Sequence, residues 1–206
     1  QAIELGAGDW TITLTDDFQS SYVRSIRGRG WGNTGGRHVT NLSIYANRPN
    51  AIDSSGGAGW SVLDLELLNL RAWIYTIGQY IETTTGGTYT GGDGGAVRVY
   101  GLGAVAVTSS GAGSSGSVVD GPTIFGGNGG SIEISGLSVV SGDSITSNGG
   151  TGDGGADGSR GYLYFDGVDG RTATITGNVL FASRCSLTIG YCTVDTFADK
   201  GGNAIY

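Results

Sequence analysis

Apolar and polar residues alternate with a period of two in seven short stretches of this chain. The pattern is apolar–x–apolar–x–(Gly or a large residue)–apolar. Four copies are sharp: Val97-Arg98-Val99-Tyr100-Gly101-Leu102, Ile132-Glu133-Ile134-Ser135-Gly136-Leu137, Leu163-Tyr164-Phe165-Asp166-Gly167-Val168 and Leu187-Thr188-Ile189-Gly190-Tyr191-Cys192. Looser copies begin at Ile12, Leu42 and Leu63. Successive anchors lie 30, 21, 34, 35, 31 and 24 residues apart, a recurrence typical of solenoids. Alternation within each copy makes it a strand with one buried face. The pattern predicts an all-β fold, a single-stranded parallel β-helix (β-solenoid) of about six to seven coils with Gly-rich loops.

Stacking the copies gives two inward columns. They read Ile12, Leu42, Leu63, Val97, Ile132, Leu163, Leu187, and Leu14, Ile44, Leu65, Val99, Ile134, Phe165, Ile189. A bend at the fifth position would turn Leu68, Leu102, Leu137, Val168 and Cys192 inward as a second wall. The residues between are polar or amphipathic. One outward column reads Thr13, Ser43, Asp64, Arg98, Glu133, Tyr164, Thr188, and the next Thr15, Tyr45, Glu66, Tyr100, Ser135, Asp166, Gly190. Asp64, Arg98 and Glu133 alternate in sign on adjacent coils. Such neighbours contribute about 0.2–1 kcal/mol per pair.

Residues 61–82 carry two signals. Val62 to Glu66 alternates, while Leu67 to Ile74 also fits a helix; repeat register and the β-branched and aromatic residues downstream favour strand. Gly-rich segments at 86–95, 111–130 and 148–161 punctuate the copies. Glycine there permits tight corners, and the segments are expected to extend as loops of variable length.

Composition narrows the class. At 206 residues one domain is the default. The 42 glycines come with two prolines and no every-third-residue register, which excludes collagen. The ordered apolar alternation excludes a disordered chain. A net charge of −7 argues against general nucleic-acid binding, and a lone Gly28-Arg29-Gly30 does not change that. No run is long enough for a membrane span. Gln1 and the absence of Met suggest a processed product or a piece of a longer chain. Residues 1–38 read as a capping and docking segment and 39–206 as the β-helix domain. Five of the eleven basic residues fall between positions 24 and 48, so Arg24, Arg27, Arg29, Trp31 and Arg37 are the candidates for docking a partner.

The strand–Gly–strand repeat over roughly residues 10–197 resembles the right-handed parallel β-helix superfamily of pectate-lyase-like enzymes and virion receptor-binding proteins. The Gly-rich, Lys-poor, Tyr-rich composition looks most like bacteriophage tailspike, fibre or decoration proteins. That resemblance implies a non-enzymatic virion surface protein acting in host-surface carbohydrate recognition or attachment; no cofactor and no metal ion are expected. It also implies a homotrimer, partners within a virion or surface assembly, and a location on the virion surface or outside the cell. Tyr45, Arg98, Tyr100 and Tyr164 are its candidate ligand-binding residues.

Two other readings stand beside it. A polysaccharide-degrading β-helix lyase or hydrolase would use Asp64, Glu66 and Glu133, because paired carboxylates about 5–9 Å apart can perform acid–base work on a glycosidic bond. A solvated charge ladder that fixes coil register is the plainer account of the same residues. A bacterial adhesin or filament subunit is the third reading. Asp143, Asp153, Asp157, Asp166 and Asp169 lie among glycines but miss the calcium-repeat spacing, so they read as turn residues. His38, the single histidine, has no triad-like neighbours. Period-two counting turns Cys185 and Cys192 inward as small packed residues rather than a disulfide.

Overall fold

The computed structural model is an all-β parallel β-solenoid of about four turns. It describes residues 1–29, 40–115, 121–137 and 144–166, together with the four strands after Asp166 named below. Among the described residues there is no helix, hence none long and apolar enough to cross a membrane.

One ladder of parallel strands forms the first face. It contains β1 (Ala2–Glu4), β3 (Ser25–Arg27), the first half of β6 (Val62–Tyr75), the first half of β9 (Val97–Thr108), β11 (Ile132–Ser135), β13 (Tyr162–Asp166), β15 (Asn178–Phe181) and β17 (Phe197–Asp199). The second face stacks β2 (Gly8–Thr13), β4 (Thr40–Tyr45), the second halves of β6 and β9, β12 (Ser144–Thr146), β14 (Thr172–Thr176) and β16 (Ser186–Leu187). Short pairs close the third side: β5 (Ala51–Ile52) with β7 (Ile81–Glu82), and β8 (Thr88–Thr90) with β10 (Thr123–Phe125).

First-face partners Ile26–Leu67, Val62–Val97, Val97–Ile132 and Ile132–Leu163 mark four turns of 41, 35, 35 and 31 residues. Six or seven coils were expected. Only the copies near Leu63 and at Val97, Ile132 and Leu163 share the first face, whereas those at Ile12 and Leu42 lie on the second, where Leu187 also pairs. The seven anchors therefore form no single column, and their number does not count turns. Past Leu163 the ladder continues to Val179 and Phe197, in steps of only 16 and 18 residues.

The 61–82 ambiguity resolves as strand. β6 crosses both faces, bent at two bulges where Asp64 and Asn69 take φ of 58° and 56°. Asp and Asn tolerate this left-handed region better than most residues. The Asp64 bulge corrects the expected register: Val62 and Leu65, not Leu63, line the interior with Val97, Val99, Ile132, Ile134, Leu163 and Phe165. On the second face Ile12 stacks on Ile44, Ile74, Val107 and Ile145, while Leu42 stacks on Ala72 and Val105. Each fully buried Ile or Leu is worth about 1.5–3 kcal/mol over its exposed state. Among the described residues the expected second wall is inside only at Leu137. Leu68 is half-buried and Leu102 is 63% exposed, because Leu67 and Leu70 take the interior around the Asn69 bulge. Val168, Ile189 and Cys192 lie outside the described residues, as do His38 and Cys185.

The Gly-rich segments correct the sequence reading more deeply. Much of their length is packed inside the solenoid rather than extended as loops. Gly56, Gly59 and Val62 donate their N–H groups to the carbonyls of Thr90, Asp93 and Ala96 on the next turn. Gly91, Gly94 and Val97 repeat this with Phe125, Asn128 and Ser131. A three-residue spacing of bonds is that of a polyproline-II-like strand, three residues per turn. Other amides cross the narrow interior: Gln79 to Gly57, Gly92 to Gln79, Ala112 to Gly92, Gly127 to Ala112 and Gly150 to Gly127. Backbones approach so closely that a Cβ on Gly92 or Gly127 would sit 2.0 or 2.1 Å from a carbonyl oxygen. Where this glycine layer meets the apolar core stands a column of buried hydroxyls. Thr76 and Ser109 donate to the carbonyl of Gly95, and Ser147 to that of Gly130.

Candidate functional site

Four parallel strands, β6, β9, β11 and β13, bring most of the expected site residues to the outer surface of the first face. Alternation drives this: Val97, Val99, Ile132 and Ile134 point inward, so Arg98, Tyr100, Glu133 and Ser135 point out. Register then sets the neighbours. Arg98 lies between Leu63 and Glu133, and Tyr164 lies beyond Glu133. Tyr100 lies between Glu66 and Ser135. Parallel strands are about 4.8 Å apart, so these residues form one compact patch.

Asp64 is displaced by its bulge yet still reaches the next turn. Arg98 Nε donates to Asp64 Oδ1 at 2.6 Å and Nη2 to Oδ2 at 3.0 Å, a two-pronged clamp. On the other side Arg98 Nη1 lies 3.9 Å from Glu133 Oε2. All three side chains remain about half exposed. The hydrogen bonds from Arg98, reinforced by its charge, hold the Asp64 carboxyl below the usual carboxylate range. The same bonds, with the Asp64 charge, raise the Arg98 guanidinium. An ionised, clamped carboxylate is a poor proton donor and a good fixed acceptor. Neither cavity described below is lined by Asp64, Glu66 or Glu133.

Tyr45 does not join this patch. It lies on the second face, stacked on Tyr75 with ring centroids 5.1 Å apart and planes 11° from parallel. The sequence columns placed it with Glu66 and Tyr100 because the Leu42 copy was assigned to the wrong face. Beside the pair, on the same strand, Trp73 carries the Arg71 guanidinium 4.6 Å from its ring centroid. This aromatic group was visible as residues but not as a cluster, since the continuation of β6 onto a second face is what aligns Tyr75 with Tyr45.

Arg24, Arg27 and Arg29 are exposed at the amino-terminal end of the stack. Arg27 pairs in register with Glu4 on β1, the outermost first-face strand, and a cavity of about 330 Å³ there is lined by Glu4, Leu5, Gly6, Arg27, Gly28 and Arg29. Trp31 and Arg37 lie outside the described residues. Asp157 acts as a turn residue, accepting the Gly152 N–H at 2.8 Å. Asp143 and Asp169 fall outside the described residues, and among the described ones no three His, Cys, Asp or Glu side chains converge on a metal position.

No protein-family model, no curated protein and no solved structure matches this chain.

Proposed function

We propose that this chain is a non-enzymatic surface protein of a virion, a bacteriophage tail spike, fibre or capsid decoration, that attaches to host-surface carbohydrate. The observation that carries the reading is the patch of Arg98, Asp64, Glu133, Tyr100 and Tyr164. It is a rigid, outward, mixed-charge surface with aromatic rings, held on strands whose other face is core. Tyr rings offer flat apolar faces with polar edges, and fixed carboxylates and a guanidinium offer hydroxyl partners. The clamp on Asp64 favours recognition over the acid–base use of the same carboxylates. In this proposal the chain works as a homotrimer within the virion, docks through Arg24, Arg27 and Arg29 at the amino-terminal end, and extends its stack to six or seven coils. A bacterial adhesin would use the same patch from a cell envelope.

The test is attachment. Particles or cells carrying the protein are assayed for binding to host polysaccharide, with Arg98→Ala and Tyr100→Ala compared with the parent chain. Each change is expected to lower binding at least about tenfold, with no glycan cleaved by the parent. Attachment indifferent to both changes, or cleavage abolished by Glu66→Ala, overturns the proposal. Co-purification with a cell envelope instead of a virion selects the adhesin.

A further inference from the structure

A second concave site lies far from the first-face patch in the register of the solenoid. Three consecutive turns each contribute the stretch that follows their second-face strand, and together they line a cavity of about 380 Å³. Tyr80 comes from one turn, Ser110 and Ser114 from the next, Thr151 and Asp153 from the third, over a floor of glycine backbone. Two strand spacings make the groove about 10 Å long along the solenoid axis.

The floor is rigid. Gly111 donates its N–H to Asn148, Ala112 to Gly92 and Gly150 to Gly127, so the glycines are held in the packed layer. Their missing side chains leave room for neighbouring backbone: a Cβ on Gly113, Gly149 or Gly150 would sit 1.8, 1.8 or 2.4 Å from another segment's main chain. The walls are also fixed. The Tyr80 carbonyl accepts from Ala51, the neighbouring Ile81 N–H donates to Gly113, and Asp153 exchanges backbone bonds with Ile124 at 2.7 and 2.8 Å. Tyr80 nevertheless remains 38% exposed and Asp153 is exposed. A preformed concave site with a few convergent polar groups is the usual form of a small-ligand site.

The lining chemistry selects the ligand. One aromatic ring suits an apolar face made of C–H groups. The Ser110, Ser114 and Thr151 hydroxyls and the Tyr80 phenol can each donate or accept, and the Asp153 carboxylate accepts. None of the lining residues is cationic, which disfavours phosphates, sulfates and acidic sugars. We propose that this groove binds a neutral pyranose, with its ring against Tyr80 and a hydroxyl donating to Asp153. The site shares no residue with the first-face patch and stands or falls separately from the attachment reading.

Saturation-transfer NMR with methyl α-glucoside, methyl β-galactoside, methyl α-mannoside and N-acetylglucosamine tests it. At least one is expected to bind with a Kd on the order of 1 mM. Tyr80→Ala and Asp153→Asn should each weaken that binding at least about tenfold, with circular dichroism unchanged because both side chains lie on the surface. N-acetylneuraminic acid should bind more weakly than the neutral sugars. Absence of binding by all four glycosides, binding that survives both changes, or preference for the acidic sugar overturns the proposal. Binding lost with Tyr100→Ala but not with Tyr80→Ala removes the groove and leaves the first-face reading intact.

Discussion

The carboxylate of Asp93 accepts the backbone N–H of Asn128, one turn further along the solenoid, at 2.6 Å. Asn128 repeats the gesture, its Oδ1 accepting the Ser159 N–H at 3.0 Å. These side chains satisfy amides that the glycine layer's own bonding pattern leaves over, on the outward third position. Asp93→Ala is therefore expected to destabilise the fold by about 1 kcal/mol, seen as a lower urea midpoint at unchanged m-value. Asp93→Asn, which keeps an acceptor, should recover most of the loss.

The glycine layer predicts a sharp contrast between two substitutions of the same kind. A Cβ at Gly127 would meet the Gly92 carbonyl oxygen at 2.1 Å, whereas at Gly86 it would meet nothing within 4 Å. Gly127→Ala should cost about 3 kcal/mol or prevent folding. Gly86→Ala should stay within about 0.5 kcal/mol of the parent. Equal tolerance of both in chemical denaturation would refute the packed layer.

The buried hydroxyl column should also be measurable. Ser147→Ala leaves the Gly130 carbonyl without the donor that reaches it from the opposite layer. The expected loss is about 1 kcal/mol in thermal or urea unfolding. Ser147→Val should lose more, because its extra methyl must enter a fully buried position.

The Asp64–Arg98 clamp gives a pH signature. The folded Asp64 carboxyl titrates below its ordinary value, so its stabilisation is present above the unfolded value of about 3.9 and fades as pH falls through the lower folded value. Parent and Asp64→Asn should thus differ in melting temperature at neutral pH and converge in strong acid. The difference should shrink with added salt, since the pair is half exposed. A gap that widens on acidification would contradict the clamp.

Alternation made the solenoid and most of the first-face patch legible in the sequence. Val97, Val99, Ile132 and Ile134 fixed their own direction and hence that of Arg98, Tyr100 and Glu133 between them. The Arg98–Glu133 neighbours were readable because each follows an apolar anchor that pairs in register, whereas Asp64 was counted from Leu63 and reaches Arg98 from its bulge. What the pattern hid was geometry that spacing does not encode. A bulge at Asp64 moved the anchor from Leu63 to Val62 without disturbing the apolar look of the segment. Two faces wrote the same motif, so Tyr45 was placed with Tyr100 when its stacking partner is Tyr75. The glycines hid the most, because a residue without a side chain leaves no apolar signature even when, as at Gly92, the backbone of Gly57 and Gln79 fills the place a side chain would take.

The three-residue rhythm of the glycine segments divides their positions into kinds. Two of each triplet are committed to neighbouring chain, while the third, occupied by Ala58, Asp93 and Asn128 on successive turns, faces water. Sequence drift at those third positions would repaint the narrow flank of the molecule one rung at a time. Change at Ala58 would leave the scaffold beneath as it is, while at Asp93 and Asn128 the replacement must keep a side-chain acceptor for the next turn's amide; within that limit the flank could diversify faster than the frame that carries it.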